Sequence, residues 1–257
     1  MAFLVRFIDL SCDLGEGSSP EEWQIEERLW PLISAANVAC GGHAGDRNSM
    51  ELAVHHAQLH GVLLGAHPSY PDRIHFGRLS VEIDHDELCR FLIEQIEELH
   101  EIALDDGLQL QRVKAHGALY NDAHRDPALA KIVVAAAGSV DRQLALVAAP
   151  GSAMLKAAES AGMSAIREAF IDRRYRADGS LQPRSEAGAL LLDIHEAADQ
   201  AVMLACESSV ISADGRRLAV PFDTLCIHGD MPDAVARLEE SRRKLKDAGF
   251  AIGRESR

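Results

Sequence analysis

Seven times along this chain a short apolar run ends in a cluster of polar residues, and most clusters are followed by a helix-like stretch. The first clusters are Cys12-Asp13-Leu14-Gly15-Glu16, Ala39-Cys40-Gly41-Gly42-His43-Ala44-Gly45-Asp46 and Gly65-Ala66-His67-Pro68. Lys114-Ala115-His116-Gly117-Ala118-Leu119-Tyr120-Asn121 and Ala148-Ala149-Pro150-Gly151-Ser152 follow. The last are Glu168-Ala169-Phe170-Ile171-Asp172-Arg173 and Cys226-Ile227-His228-Gly229-Asp230. Carboxylates, imidazoles and amines gathered at strand ends are how a βα-barrel builds an active site at one face. The pattern therefore predicts an enzyme.

Strands alternating with helices imply a parallel sheet with right-handed crossovers. The strands are expected at 5–10, 35–39, 62–66, 111–115, 144–148, 165–169 and 224–227. An open doubly wound sheet concentrates its site at one crevice. Here the clusters recur after nearly every strand, which favours a seven-stranded parallel (β/α) barrel in one domain, 1–257. Ser19-Pro20-Glu21-Glu22 signals a helix start. Further helices are expected at 48–60, 86–105, 127–137, 152–161, 195–208 and 232–248. In the segment 86–105, Leu88, Phe91, Leu92, Gln95, Ile96, Leu99 and Ala103 share one face at helical spacing. The long loop 68–80 is a candidate lid or substrate loop. The stretch 173–188 is polar and irregular, with a small hairpin expected around Asp178-Gly179.

Apolar residues make up 47% of the 257 residues, enough for a core of this size, and aromatics only 5%. The net charge of -14 repels phosphate backbones and anionic bilayers, so neither nucleic acid nor a membrane is an expected partner. The 5 cysteines are odd in number and show no CxxC spacing, which suits a reducing cytosol. The start of the chain is too quickly charged for a signal peptide, and no apolar stretch reaches the ~18 residues of a membrane helix. A cytoplasmic protein is expected.

Asp13, His43 and His67 close the first three strands, and one carboxylate with two imidazoles suits a divalent metal. Hydrogen-bonded structural roles are the alternative. Glu16 and Asp46 are placed to orient the imidazoles, or to cap a helix. Lys114 and His116 close strand four. A barrel-lining lysine must meet a carboxylate, from protein or substrate. Tyr120 and Asn121 follow in the next loop. Glu168, Asp172, Arg173 and Tyr175 form the densest charged cluster, read either as an internal ion pair or as a carboxylate-binding site around Arg173. His228 and Asp230 close the last strand, and Asp230 is also placed to cap the helix beyond it. No GxxxxGK[ST] phosphate loop is present.

These clusters resemble the LamB/YcsF family from Ile8-Asp9-Leu10-Ser11-Cys12-Asp13-Leu14-Gly15-Glu16-Gly17 to His228-Gly229-Asp230, nearly the whole chain. Ala36-Asn37-Val38-Ala39-Cys40-Gly41-Gly42-His43-Ala44-Gly45-Asp46, Phe76-Gly77-Arg78, His116-Gly117-Ala118-Leu119-Tyr120-Asn121 and Asp172-Arg173-Arg174-Tyr175 carry it. Departures are Ser11 for the family's Asn, Gly42 for Phe and Ala115 for Pro; none removes a charged or imidazole group. The resemblance implies a barrel similar to polysaccharide deacetylases. It implies ATP-dependent opening of the 5-oxoproline lactam to L-glutamate, with two other subunits. The residues that would carry this chemistry are Asp13, Glu16, Lys114, His116 and Asp172. Arg78, Tyr120, Asn121, Glu168, Arg173, His228 and Asp230 would bind substrate. ATP would be used with the partner subunits, and a divalent metal would sit at Asp13, His43 and His67. A stand-alone metal-dependent amidohydrolase or deacetylase, or a non-catalytic small-molecule-binding regulatory barrel, are the competing readings.

Overall fold

The computed structural model describes residues 6–253. Six strands alternate with helices along the first two thirds of the chain: β1 (Arg6–Leu14), β2 (Ala35–Ala39), β3 (Leu63–His67), β4 (Leu110–Lys114), β5 (Ala145–Ala148) and β6 (Ala165–Phe170). A short antiparallel hairpin, β7 (Ser209–Ile211) and β8 (Arg217–Ala219), then precedes β9 (Thr224–His228) and β10 (Phe250–Ile252). Strands β1 to β6 and β9 pair in parallel in chain order, and β9 pairs with β1, so the sheet closes into a seven-stranded barrel. β10 adds in parallel to the first half of β1, below its pairing with β2.

The helices are α1 (Pro20–Leu29), α2 (Arg47–His60), α3 (His85–Asp105), α4 (Gly117–Arg125), α5 (Pro127–Val140), α6 (Ala153–Ser160), α7 (Ile194–Glu207) and α8 (Ala234–Asp247). Most of their starts are set by side-chain caps. Ser19, Asp46, Asp84, Asp126, Ser152 and Asp193 each accept from backbone N–H groups of the first turn, as short polar residues do at helix N-termini. Asp46, considered above as an orienter of histidine, is one half of a capping box with Ser49. Its carboxylate is committed to the helix.

Strands with both faces covered bury most of their residues, and side chains alternate between the two faces. In β1, Leu10, Cys12 and Leu14 join the apolar core, whereas Asp9 and Asp13 meet polar partners across the barrel and Ser11 meets Thr224 on the adjacent β9. Two charged layers fill that interior. In the lower one Arg112 Nη1 donates to Asp9 Oδ2 at 3.1 Å, and both side chains are buried. Gly65 makes room for this arginine, since a Cβ there would lie 2.6 Å from Arg112 Cγ. The upper layer contains Lys114.

Strand and helix boundaries depart from the sequence expectation in a few places. Val5, the expected start of the first strand, lies outside the described residues. β1 runs on to Leu14, because its polar residues face the barrel interior and do not end the strand. Tyr120 and Asn121, expected in a loop, sit on α4. The Asp178-Gly179 segment is a tight turn, with Arg176 N–H donating to the Ser180 carbonyl at 2.7 Å and single antiparallel bridges at Tyr175–Leu181 and Arg173–Leu190.

Candidate active site

Lys114 lies at the end of β4, nearly fully buried, with its ammonium 2.9 Å from both oxygens of Asp13 and 2.8 Å from Glu168 Oε1. Cys226 Sγ is 3.2 Å away on β9. Burial alone would push the ammonium down, but Asp13, Cys226 and Glu168 outweigh it and hold Lys114 well above the ordinary lysine range. Burial would likewise raise the Asp13 carboxyl. The Lys114 and His67 charges outweigh that and hold it well below the usual carboxylate range. Asn37, its register neighbour on β2, adds a hydrogen bond at 2.9 Å. Asp13 is thus a stable carboxylate and Lys114 a stable ammonium. The Tyr120 hydroxyl is buried beside them, pushed well up by desolvation and by Glu168.

Above this layer Glu16, His43, His67 and His116 form one group, whose ligand atoms all lie within 4.8 Å of one another. Glu16 reaches it from the turn after β1, which Gly15 makes with φ 74°. That turn is tied to α1, since Glu26 accepts from the N–H groups of Gly15, Glu16 and Gly17. Glu16 Oε1 is 2.9 Å from His43 Nε2, 3.4 Å from His116 Nδ1 and 4.0 Å from His67 Nε2. His43 stacks flat on His116, ring centroids 3.5 Å apart. Burial pushes the His43 and His116 imidazoles well below their ordinary range, with neighbouring imidazole charge adding to it. Both are neutral rings. Burial also raises Glu16, to about 7.

The hydrogen bonds fix which ring nitrogens remain open. His67 Nδ1 faces the Lys114 carbonyl at 2.7 Å and His116 Nε2 faces the Phe76 carbonyl at 2.9 Å. A carbonyl only accepts, so each of these nitrogens carries the proton. The remaining nitrogens, His67 Nε2 and His116 Nδ1, face one another at 3.0 Å with a carboxylate oxygen beside them. Two facing acceptors need either a proton between them or a metal ion among them. Ring N–H groups donated to backbone carbonyls are the usual support of metal-binding histidines. His43 Nδ1 is buried with no partner, a further mark of a group not satisfied by protein alone. The donor types suit zinc or a similar divalent ion.

The donor group differs from the expected Asp13, His43 and His67. Asp13 Oδ2 is 3.5 Å from His67 Nε2, but its oxygens are engaged by Lys114 and Asn37. Glu16 and His116 stand in its place.

The other expected residues line the rim. His228 Nδ1 lies 2.9 Å from Asp172 Oδ2, and its ring stacks on Phe170. Burial would raise the Asp172 carboxyl, but His228 and its hydrogen bonds hold it below the ordinary range. Asp230 does not cap α8, whose preceding residue is Asp233. It pairs instead with Arg78 and, at 3.0 Å, with Arg184, which nothing in the sequence marked out. Arg173 makes no ion pair among the described residues. It donates to the Gln182 carbonyl at 2.7 Å, and burial pushes it down to about 10. The Asn121 amide bonds the Gly117 carbonyl on its own helix. Gln95, placed by its spacing on the inward face of α3, staples the loop 68–80 by bonding both the N–H and the carbonyl of Ser69. Its Oε1 would lie 2.3 Å from a Cβ at Gly42, so only glycine fits beside it.

Together these features define a parallel βα-barrel whose mouth holds a histidine–carboxylate group able to take a metal, set above a buried Lys–Asp–Glu layer. The chain belongs to the LamB/YcsF family, whose sequence profile matches residues 8–256. It is 43% identical over 249 residues to a 5-oxoprolinase subunit of Symbiobacterium thermophilum, covering 97% of this chain and 95% of that protein. The counterpart from Methylococcus capsulatus is 42% identical, with 97% and 96% covered. The lactam utilization protein of Thermus thermophilus superposes with a TM-score of 0.88 at 37% identity, covering 96% of this chain and 99% of that one. A putative cellobiose-phosphate cleavage protein of Enterococcus faecalis shares the fold alone, with a TM-score of 0.55 at 10% identity and 97% of each chain covered.

Proposed function

We propose that this chain is the lactam-cleaving subunit of a 5-oxoprolinase, working with two partner subunits that use ATP to activate the substrate. The observation that carries this reading is the meeting of Glu16, His43, His67 and His116 directly above an ionised Asp13. The names of full-length relatives supply the substrate class. A lactam is a poor electrophile, and the chain has no P-loop, so activation of the amide oxygen falls to the partners. The activity would be cytoplasmic.

The four donors would hold a divalent cation, which would polarise the oxygen of the scissile group. Asp13 accepts the proton of the attacking water, because its carboxylate stays ionised and its Oδ2 faces the cluster. The hydroxyl adds to the carbonyl carbon, the C–N bond breaks as the proton passes from Asp13 to the leaving nitrogen, and a second water releases the phosphate that the partners had placed on the amide oxygen, leaving the new carboxylate. Lys114 keeps Asp13 charged, and being saturated by two carboxylates it does not bind substrate. Recognition of the substrate carboxylate falls to Arg78 and Arg184, two guanidiniums sharing one Asp230. His228 and Phe170 shape the apolar wall beside them.

Glutamate release from 5-oxoproline and ATP tests this. Turnover is expected only when the chain is combined with its partner subunits, and Asp13→Ala is expected to abolish it. Full turnover by the isolated chain would refute the division of labour. Undiminished activity of Asp13→Ala in the assembled enzyme would refute the site.

A further inference from the structure

A wide concavity lies away from the barrel mouth. It is a groove of about 770 Å³ on the outer flank, between the end of α4 and the helices α5 and α6. Its floor is apolar and made of small or pliable side chains: Val134, Ala135, Ala157 and Met163. Its walls carry Arg125, Lys131, Arg142 and Lys156, and no acidic residue lines it. All four cations are exposed, and none forms an ion pair among the described residues. On a chain of net charge -14, where most other surface arginines pair with carboxylates, four cations without ion pairs line this one groove.

We infer that this groove is the docking site for an acidic amphipathic helix of a partner protein. Three observations select that occupant. First, the charges are spread. Lys131 on α5 and Arg142 just past its end are eleven positions apart, about 16 Å at the helical rise of 1.5 Å per residue, with Arg125 near the Lys131 end and Lys156 on the opposite wall. A helix of three turns spans that distance, whereas a phosphate chain concentrates its charge within a few ångströms. Second, the nearby helix N-termini, the usual phosphate cradles, are already closed by the Asp126 and Ser152 side chains. Third, a small-residue floor with one methionine accepts the apolar face of a helix laid in a groove.

The groove also has a direct structural link to the site. α4 begins next to His116, carries Tyr120 over the Lys114 layer, and ends in His124 and Arg125 at the groove. A partner seated there lies within one nine-residue helix of the reacting centre. The inference rests on the proposed 5-oxoprolinase reading only for which protein supplies the helix.

The test is a charge reversal, Lys131→Glu with Arg142→Glu and Lys156→Glu, in the full chain. The neutral triple alanine variant serves as a milder control, and circular dichroism checks the fold. Binding to the two partner subunits is measured at two salt concentrations. In parallel, a fluorescein-labelled acidic helical peptide, with glutamates at both ends and leucines between, is titrated by anisotropy, with inorganic triphosphate as competitor. At least tenfold weaker partner binding in the reversal variant, an intermediate loss in the alanine variant and a steep salt dependence support the groove. Equal assembly of wild type and folded reversal variant overturns it and leaves the proposed activity standing. If wild type fails to assemble at all, the divided-labour reading falls and the peptide decides. Loss of peptide binding on reversal supports the groove, while equal binding, no binding or displacement by triphosphate overturns it.

Discussion

Lys114 sets the charge balance of the barrel interior. Its ammonium is the counterion of both Asp13 and Glu168, and all three side chains are nearly fully buried. Removing one partner of a buried ion pair strands the others in low dielectric, at about 3–5 kcal/mol. Lys114→Met is therefore expected to lower the urea midpoint of unfolding by that equivalent, and a shift of a few tenths of a kcal/mol would contradict the placement. Asp172 gives a pH signature. Its folded pKa lies below the ordinary aspartate value of about 3.9, so its ionised form favours the folded state. That contribution is complete above about pH 4 and is lost as pH falls through the lower folded value. Urea midpoints of wild type should fall below about pH 4 more steeply than those of Asp172→Asn. Parallel profiles would show that the His228–Asp172 contact stores no stability.

At the scale of elements, the loop 68–80 and α4 hold the histidines in place. Gly117 opens α4 with φ 57°, and a Cβ there would lie 2.3 Å from the Gly77 carbonyl oxygen. Gly77 in turn sits against His43 and His116, and Phe76, itself at φ 57°, offers its carbonyl to His116. Gly117→Ala combines a strained φ with a backbone clash. It is expected to cost about 1–3 kcal/mol and to weaken metal binding together with thermal stability; unchanged values for both would contradict this packing. The strand–helix alternation was legible because parallel strands buried on both faces leave apolar runs. α4 was not, because a glycine of positive φ at its start read as a loop, although Leu119, Tyr120 and Ala123 share a buried face. The continuation of β1 to Asp13 was hidden by polar side chains that point into the barrel. The candidate residues were legible as a set. Spacing could not show that Glu16 rather than Asp13 joins the three histidines, because the Gly15 turn and the reach of Lys114 across the barrel set those positions. Arg184 carried no signal, and the helical spacing placed Gln95 on an inward face without showing its bonds to Ser69, since a loop arginine and a helical glutamine acquire their roles only through tertiary contact.

On the scale of the whole molecule, barrel closure is what makes the site. Asp13 and Lys114 are 101 positions apart, and Lys114 and Cys226 are 112 apart, yet the β1–β9 pairing brings them into one layer. Among the described residues no helix is long and apolar enough to cross a membrane, and the two surfaces with functional character are the mouth and the basic groove. The central claim is that Glu16, His43, His67 and His116 hold a divalent cation. It is tested most directly by elemental analysis of the chain purified without chelator, for wild type and for His67→Ala with His116→Ala. The expected result is about one divalent ion per wild-type chain, and none in a folded double variant. A metal-free wild type that also takes up no zinc, manganese or iron on titration would contradict the claim, as would a double variant that keeps its ion.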